Sequence, residues 1–166
     1  MGRPGAAAFN RQGHVAPMSF KFGAHIPFVN LLGFTLEAFA DGHSEIHYAP
    51  KPEHLNSFDV THGGACMTLL DVVMATAARS VNQDMGVVTI EMKTSFMRPA
   101  KVTPAGRLTA KGRLMHRTQS MAFTEGTIYD EAGRACAHAT GTFKYVKRAP
   151  DRTTEAGVVH PQISTD

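Results

Sequence analysis

Tryptophan is missing from this 166-residue chain, cysteine occurs only twice, and no stretch stays apolar for long. Each absence closes off a class of protein. Two cysteines, Cys66 and Cys136, with no CxxC spacing exclude a disulfide framework and fit a reducing compartment, so cytoplasmic localisation is expected. A bilayer-spanning helix needs about 18 consecutive apolar residues, which the chain does not supply, and no membrane association is expected. Charge of one sign is also scarce: the net charge is +3, the pI is near 9.0, and the basic residues are scattered. Nucleic acid is therefore not implied as a partner, although anionic ligands are favoured. The histidines are dispersed, and neither a metal site nor a cofactor is expected.

What is present is ordinary globular composition, 43% hydrophobic and 19% charged, enough for one domain with a proper core. Residues 1–19 are predicted to be a disordered leader and residues 149–166, rich in Thr and charge, a flexible tail, which places the domain at 20–148. A short helix is expected over 24–32. Two strands follow at 34–39 and 44–48, joined by Asp41-Gly42, a pair that supplies the positive φ of a tight turn. After a loop over 51–61 comes the one long helix, from Gly63 to about Asn82. Its residues are apolar or small on both sides, so burial round most of its circumference is expected. Four strand-like segments complete the domain, at 87–97, 107–115, 121–129 and 135–146. Two strands, a long helix and four more strands make an α+β order with a single antiparallel sheet.

Chemistry concentrates at the start of the long helix. His62-Gly63-Gly64 opens it, Asn56 stands shortly before, and Asp71 lies two turns further on. Free N–H groups and the positive dipole end at a helix start suit an oxyanion, and glycines let a carbonyl approach the main chain. Asp71 is the only acidic residue between Gly63 and Gln83, and apolar surroundings should raise its pKa. Each residue also has a structural reading. Asp71 could pair with a buried cation, His62 could be a loop histidine, and Asn56 a cap or turn residue. Cys66, flanked by Ala and Met, reads as a small core residue rather than a nucleophile.

Together with Phe96-Met97-Arg98-Pro99-Ala100, Ser120-Met121-Ala122-Phe123 and Ala139-Thr140-Gly141-Thr142-Phe143, these motifs resemble the hotdog-fold acyl-CoA thioesterases of the phenylacetate-pathway and 4-hydroxybenzoyl-CoA type. The likeness runs from about Pro27 to Tyr145. It implies an antiparallel sheet wrapped round the central helix, in a homodimer or a homotetramer of stacked dimers. The implied activity is hydrolysis of an aryl- or medium-chain acyl-CoA to free acid and CoA, with coenzyme A entering only as part of the substrate.

Carried over by position, Gly63 would donate its N–H to the thioester oxygen, and Asp71 of the other subunit would be general base or nucleophile. Asn56 would hold the water or the leaving group, His62 would orient the loop or contact the thioester, and Thr89 would position the attacking water. A one-residue slip would move that last role to Val88 or Ile90. Gly64, Met97, Arg98, Arg117 and Ser120 would bind substrate, with Arg117, Arg98 and Lys101 as candidate partners of the CoA phosphates. Two positions depart from the pattern: Asp59 stands where glycine is common, and Thr118-Gln119 where Gly-Arg or Gly-Lys is common. The alternatives are a non-catalytic acyl-CoA-binding hotdog protein and a hotdog hydratase or dehydratase. The latter usually carries a catalytic histidine with a partner acid and lacks the HGG-to-Asp helix.

Overall fold

The computed structural model describes Phe22 and residues 25–147, so the expected leader and tail lie outside the described residues. Helix α1, Pro27–Leu32, starts on its proline, whose missing N–H costs nothing at the first helical position, and ends at Gly33 with φ 76°. It buries Val29 and Leu32 and leaves Phe28 and Leu31 outside. Strands β1, Thr35–Ala40, and β2, His43–Tyr48, form the expected hairpin. Asp41 at φ 50° and Gly42 at φ 79° make a turn whose twist matches that of the strands. The loop after β2 contains one 3-10 turn, Pro52–His54, where a plain loop was expected.

Helix α2, Gly63–Arg79, is followed by β3, Met85–Phe96, β4, Leu108–Arg117, β5, Met121–Tyr129, and β6, Ala135–Lys147. All six strands form one antiparallel sheet in the order β1-β2-β4-β5-β6-β3. The inner face packs on α2, whose Leu69, Leu70, Val73 and Met74 are completely buried. Each such side chain contributes about 1.5–3 kcal/mol relative to exposure.

Helix and sheet approach most closely at Gly112 of β4. A Cβ there would lie 2.5 Å from the Val73 carbonyl oxygen. The Ser44 hydroxyl donates to that same oxygen at 2.6 Å, and the Tyr145 hydroxyl donates to Ala78 O at 2.9 Å. The helix stops at Arg79 rather than near Asn82. Ser80 turns its hydroxyl back to Ala77 O at 2.8 Å while accepting the Gly42 N–H at 2.7 Å, which ties the helix end to the β1–β2 turn.

Burial of α2 is less complete than its composition suggests. Gly64 and Met67 are exposed and Asp71 is half-buried, because a single sheet covers one side of a helix and nothing described lies over the other. Strand β3 is similarly open. It is an edge strand of 12 residues that leaves Val88 and Ile90 about half exposed, with no neighbour on its outer side among the described residues. Its register shifts between Thr89 and Glu91, so Ile90 is an extra, bulged residue. The bulge lets Thr89 and, beyond it, Met92 and Phe96 all face the helix.

Candidate active site

The loop before α2 is built round Asn56. Its Oδ1 accepts the Phe58 N–H at 2.9 Å and the Val60 N–H at 3.4 Å, while its own N–H donates to Val60 O at 2.9 Å. This is the turn-residue role that asparagine fills through its own side chain. Asp59, which stands where glycine was the common residue, adopts φ 54°. Aspartate tolerates the left-handed region better than most side chains, so the loop keeps its course without glycine. Thr61 N–H donates to Ala100 O at 3.1 Å and His62 N–H to His54 O at 2.9 Å, which fixes both ends of the loop to buried structure.

His62 is the N-cap of α2, and its Nδ1 accepts the Gly64 N–H at 2.9 Å. That bond occupies the amide of the second glycine. The Gly63 N–H has no acceptor among the described residues, so the helix offers one open donor backed by the positive end of its dipole. Gly63 lines a cleft of about 500 Å³ together with Asn56, Phe58, Phe96, Met97 and Arg98. The cleft walls are mainly apolar, with Cys66, Ala100 and Ala137 among them. Burial pushes the Cys66 thiol up to about 11, so it remains a neutral, unreactive group.

Asp71 sits on the open side of α2, where Thr89 Oγ1 donates to its Oδ1 at 2.7 Å. Burial raises the carboxyl pKa, and the Thr89 hydrogen bond opposes that shift by favouring the ionised form. A carboxylate raised in this way and still ionised at neutral pH is a stronger base than a solvated one. Asp71 is eight helical steps beyond Gly63, which at a rise of 1.5 Å each amounts to about 12 Å along the axis. A single carbonyl must lie about 3 Å from both donor and base, so one chain cannot bring its own pair to bear on it.

The other expected substrate contacts fall into two groups. Met97 and Arg98 lie at the cleft, with the Arg98 guanidinium donating to Ala135 O at 2.9 Å. Arg117 and Ser120 lie at the far end of the molecule, where Arg117, Thr118, Gln119 and Asn82 surround a separate depression. Ser120 O there accepts the Tyr145 N–H at 2.9 Å. One chain does not join these two groups.

A larger hollow of about 850 Å³ lies on the outer sheet face among Glu45, Arg107, Lys111 and Glu131, away from the helix start and its open donor. Sequence reasoning missed Ala137, because a small residue carries no chemical signal, and His54, which packs against Tyr48 with ring centroids 5.7 Å apart beneath the loop.

A single antiparallel sheet wrapped on one long helix, with a donor at the helix start and a carboxylate two turns along, is the architecture of a hotdog fold. Residues 58–137 match the model of the thioesterase superfamily. A Caenorhabditis elegans protein that carries a provisional esterase name is 32% identical over 106 residues, 63% of this chain and 62% of that protein. The chain thus spans less than two thirds of that relative. A similarly named Saccharolobus solfataricus protein is 23% identical over 124 residues, covering 75% of this chain and 81% of that one.

Among solved structures, a conserved Pseudomonas aeruginosa protein superposes with a TM-score of 0.69 at 25% identity, covering 75% of this chain and 97% of its own. The Escherichia coli PaaI protein of the phenylacetic acid degradation operon gives a TM-score of 0.66 at 21% identity, covering 72% and 83%.

Proposed function

We propose that the protein is an acyl-CoA thioesterase that hydrolyses aryl- or medium-chain acyl-CoA to the free acid and CoA, and that its active site is divided between two copies of the chain. The observation that carries this reading is the pairing of an open Gly63 N–H with a Thr89-bonded Asp71 that lies about 12 Å away in the same chain. The exposed edge of β3, with Val88 and Ile90 outward, supports association along that strand, since a long apolar edge left open invites pairing with another chain. No cofactor enters the reaction. Two free cysteines fit a reducing compartment such as the cytoplasm.

In the dimer, the thioester oxygen accepts the Gly63 N–H of one copy and the carbonyl carbon faces Asp71 of the other. Asp71 either takes a proton from attacking water or attacks the carbon itself to form an anhydride that water then hydrolyses to the free acid and the regenerated carboxylate; both routes need the ionised carboxylate. Negative charge develops on the carbonyl oxygen at Gly63, and its collapse expels the CoA thiolate, which takes up a proton. The Thr89 hydroxyl holds one carboxylate oxygen and leaves the other for the reaction. Arg98 at the cleft, Lys101 nearby and Arg117 of the second copy supply cations for the CoA phosphates.

Purified protein offered a panel of acyl-CoAs should release free thiol, and Asp71→Ala should lower that release by about 10²- to 10⁴-fold with the fold intact. Thiol release unchanged by the substitution would remove Asp71 from the site. Tight acyl-CoA binding with no turnover would favour a binding module instead.

A further inference from the structure

Phe58 stands out even among the large apolar side chains that this fold leaves exposed. Its ring is 81% exposed, more than any other large hydrophobic side chain among the described residues. Its backbone is nevertheless tightly held. The Phe58 N–H is bonded to Asn56 Oδ1, Asp59 beside it is fixed at φ 54°, and the Leu55–Thr61 bridge closes the loop at its base. An exposed ring on a rigid mount loses little further freedom when something binds it, so contact with a ligand is gained at low entropic cost.

The direction of that contact is set by the cleft. Phe58 lines it from the loop, Phe96 lines it from β3, and Gly63 with its open N–H lies in the same lining. Phe96 also packs against the helix start, its ring edge 3.5 Å from where a Cβ on Gly63 would lie. Two rings therefore share a cleft with the group that would hold the thioester oxygen. A moiety attached to that carbonyl has an apolar wall waiting for it.

We propose that Phe58 is a specificity-determining residue, its ring forming the loop-side wall that covers the acyl group of a thioester bound at the Gly63 N–H. The inference rests on the thioesterase reading above. Because the ring reaches only atoms beyond the carbonyl, its contribution grows with the size of the acyl group. A short acyl group gains little from Phe58, and a longer or ring-bearing one gains more.

The test compares kcat/KM for acetyl-CoA, hexanoyl-CoA and phenylacetyl-CoA in wild type, Phe58→Ala and Phe58→Leu. In Phe58→Ala the hexanoyl-to-acetyl and phenylacetyl-to-acetyl ratios should each fall about tenfold, and Phe58→Leu should recover most of the hexanoyl ratio. Ratios that stay at the wild-type value, with or without an equal loss on all three substrates, overturn the proposal. So does a fall accompanied by a change in oligomeric mass, which would assign the ring to the subunit contact. Wild-type protein that releases no thiol from any of the three overturns the thioesterase reading and this inference with it, an outcome distinct from active enzyme with unchanged ratios.

Discussion

Along α2, the side that meets the sheet at Gly112 leaves no room for a methyl group, whereas the side carrying Gly64, Met67 and Asp71 stays partly open. On the packed side polar atoms tie helix to sheet: Ser44 bonds Val73 O and Tyr145 bonds Ala78 O. On the open side one amide, that of Gly63, has no acceptor among the described residues, and one carboxylate is held by a single hydroxyl. The same helix is thus a structural keel on one side and, in the proposed reaction, the reactive surface on the other. Substitutions on the two sides should separate stability from activity.

Gly63 offers the widest gap between lost activity and kept stability. His62 sits at φ −58° and ψ 138°, a conformation that a residue before proline adopts readily, and Gly63 is the first helical residue, where proline is tolerated. Gly63→Pro therefore deletes the open N–H while keeping the helix, and thiol release should fall by about 10²- to 10³-fold with little change in Tm. Gly63→Ala keeps the N–H and should retain most of the activity, since a Cβ there meets Phe96 at an ordinary 3.5 Å. Equal losses in the two variants would show that bulk rather than the amide matters.

On the packed side, Gly112→Ala drives a methyl group against a backbone carbonyl that has no room to move. Chemical denaturation should register a loss of about 2–3 kcal/mol, with the remaining folded protein keeping its specific activity. A neutral result would mean that the helix stands further from β4 than 2.5 Å implies.

Asp71→Asn tests both sides of the comparison at once, and its effect on stability is the smallest of the three. Burial raises the Asp71 pKa in the folded state above its ordinary value of 3.8. The folded protein therefore binds the proton more tightly than the unfolded chain does. This contribution to stability is present below the unfolded pKa and is lost as pH rises through the folded value. At neutral pH the ionised carboxylate is a cost, so Asp71→Asn should melt at a slightly higher temperature than wild type, with the gap closing toward acid pH, while thiol release is largely lost. In wild type, kcat/KM should fall on acidification through an apparent pKa above the ordinary aspartate range. A lower Tm for Asp71→Asn at neutral pH would contradict the burial account.

Much of this division could be read from the residues. The alternation of Leu108, Ala110 and Gly112 with outward polar residues marked β4, and the Asp41-Gly42 turn marked the first hairpin, because both signals are local. The end of α2 was less legible: Ser80 terminates it through Gly42, 38 residues away in sequence. The bulge at Ile90 was hidden too, since periodicity cannot reveal an extra residue, and it decides that Thr89 faces Asp71. Asn56 was ambiguous between turn and site, and it makes the turn while also lining the cleft. The open side of α2 was misjudged because small and apolar residues look alike whether a sheet or a second chain covers them.

The central claim is that donor and base come from different copies, and subunit mixing tests it most directly. Gly63→Pro and Asp71→Ala, each inactive alone, are denatured together in equal amounts and refolded. Half of the dimers should then pair the two variants, and in each of these one site combines an intact Gly63 with an intact Asp71, so about one quarter of wild-type thiol release should return. A mixture as inactive as its parents, with mixed dimers confirmed by mass, would place donor and base within one chain and contradict the account.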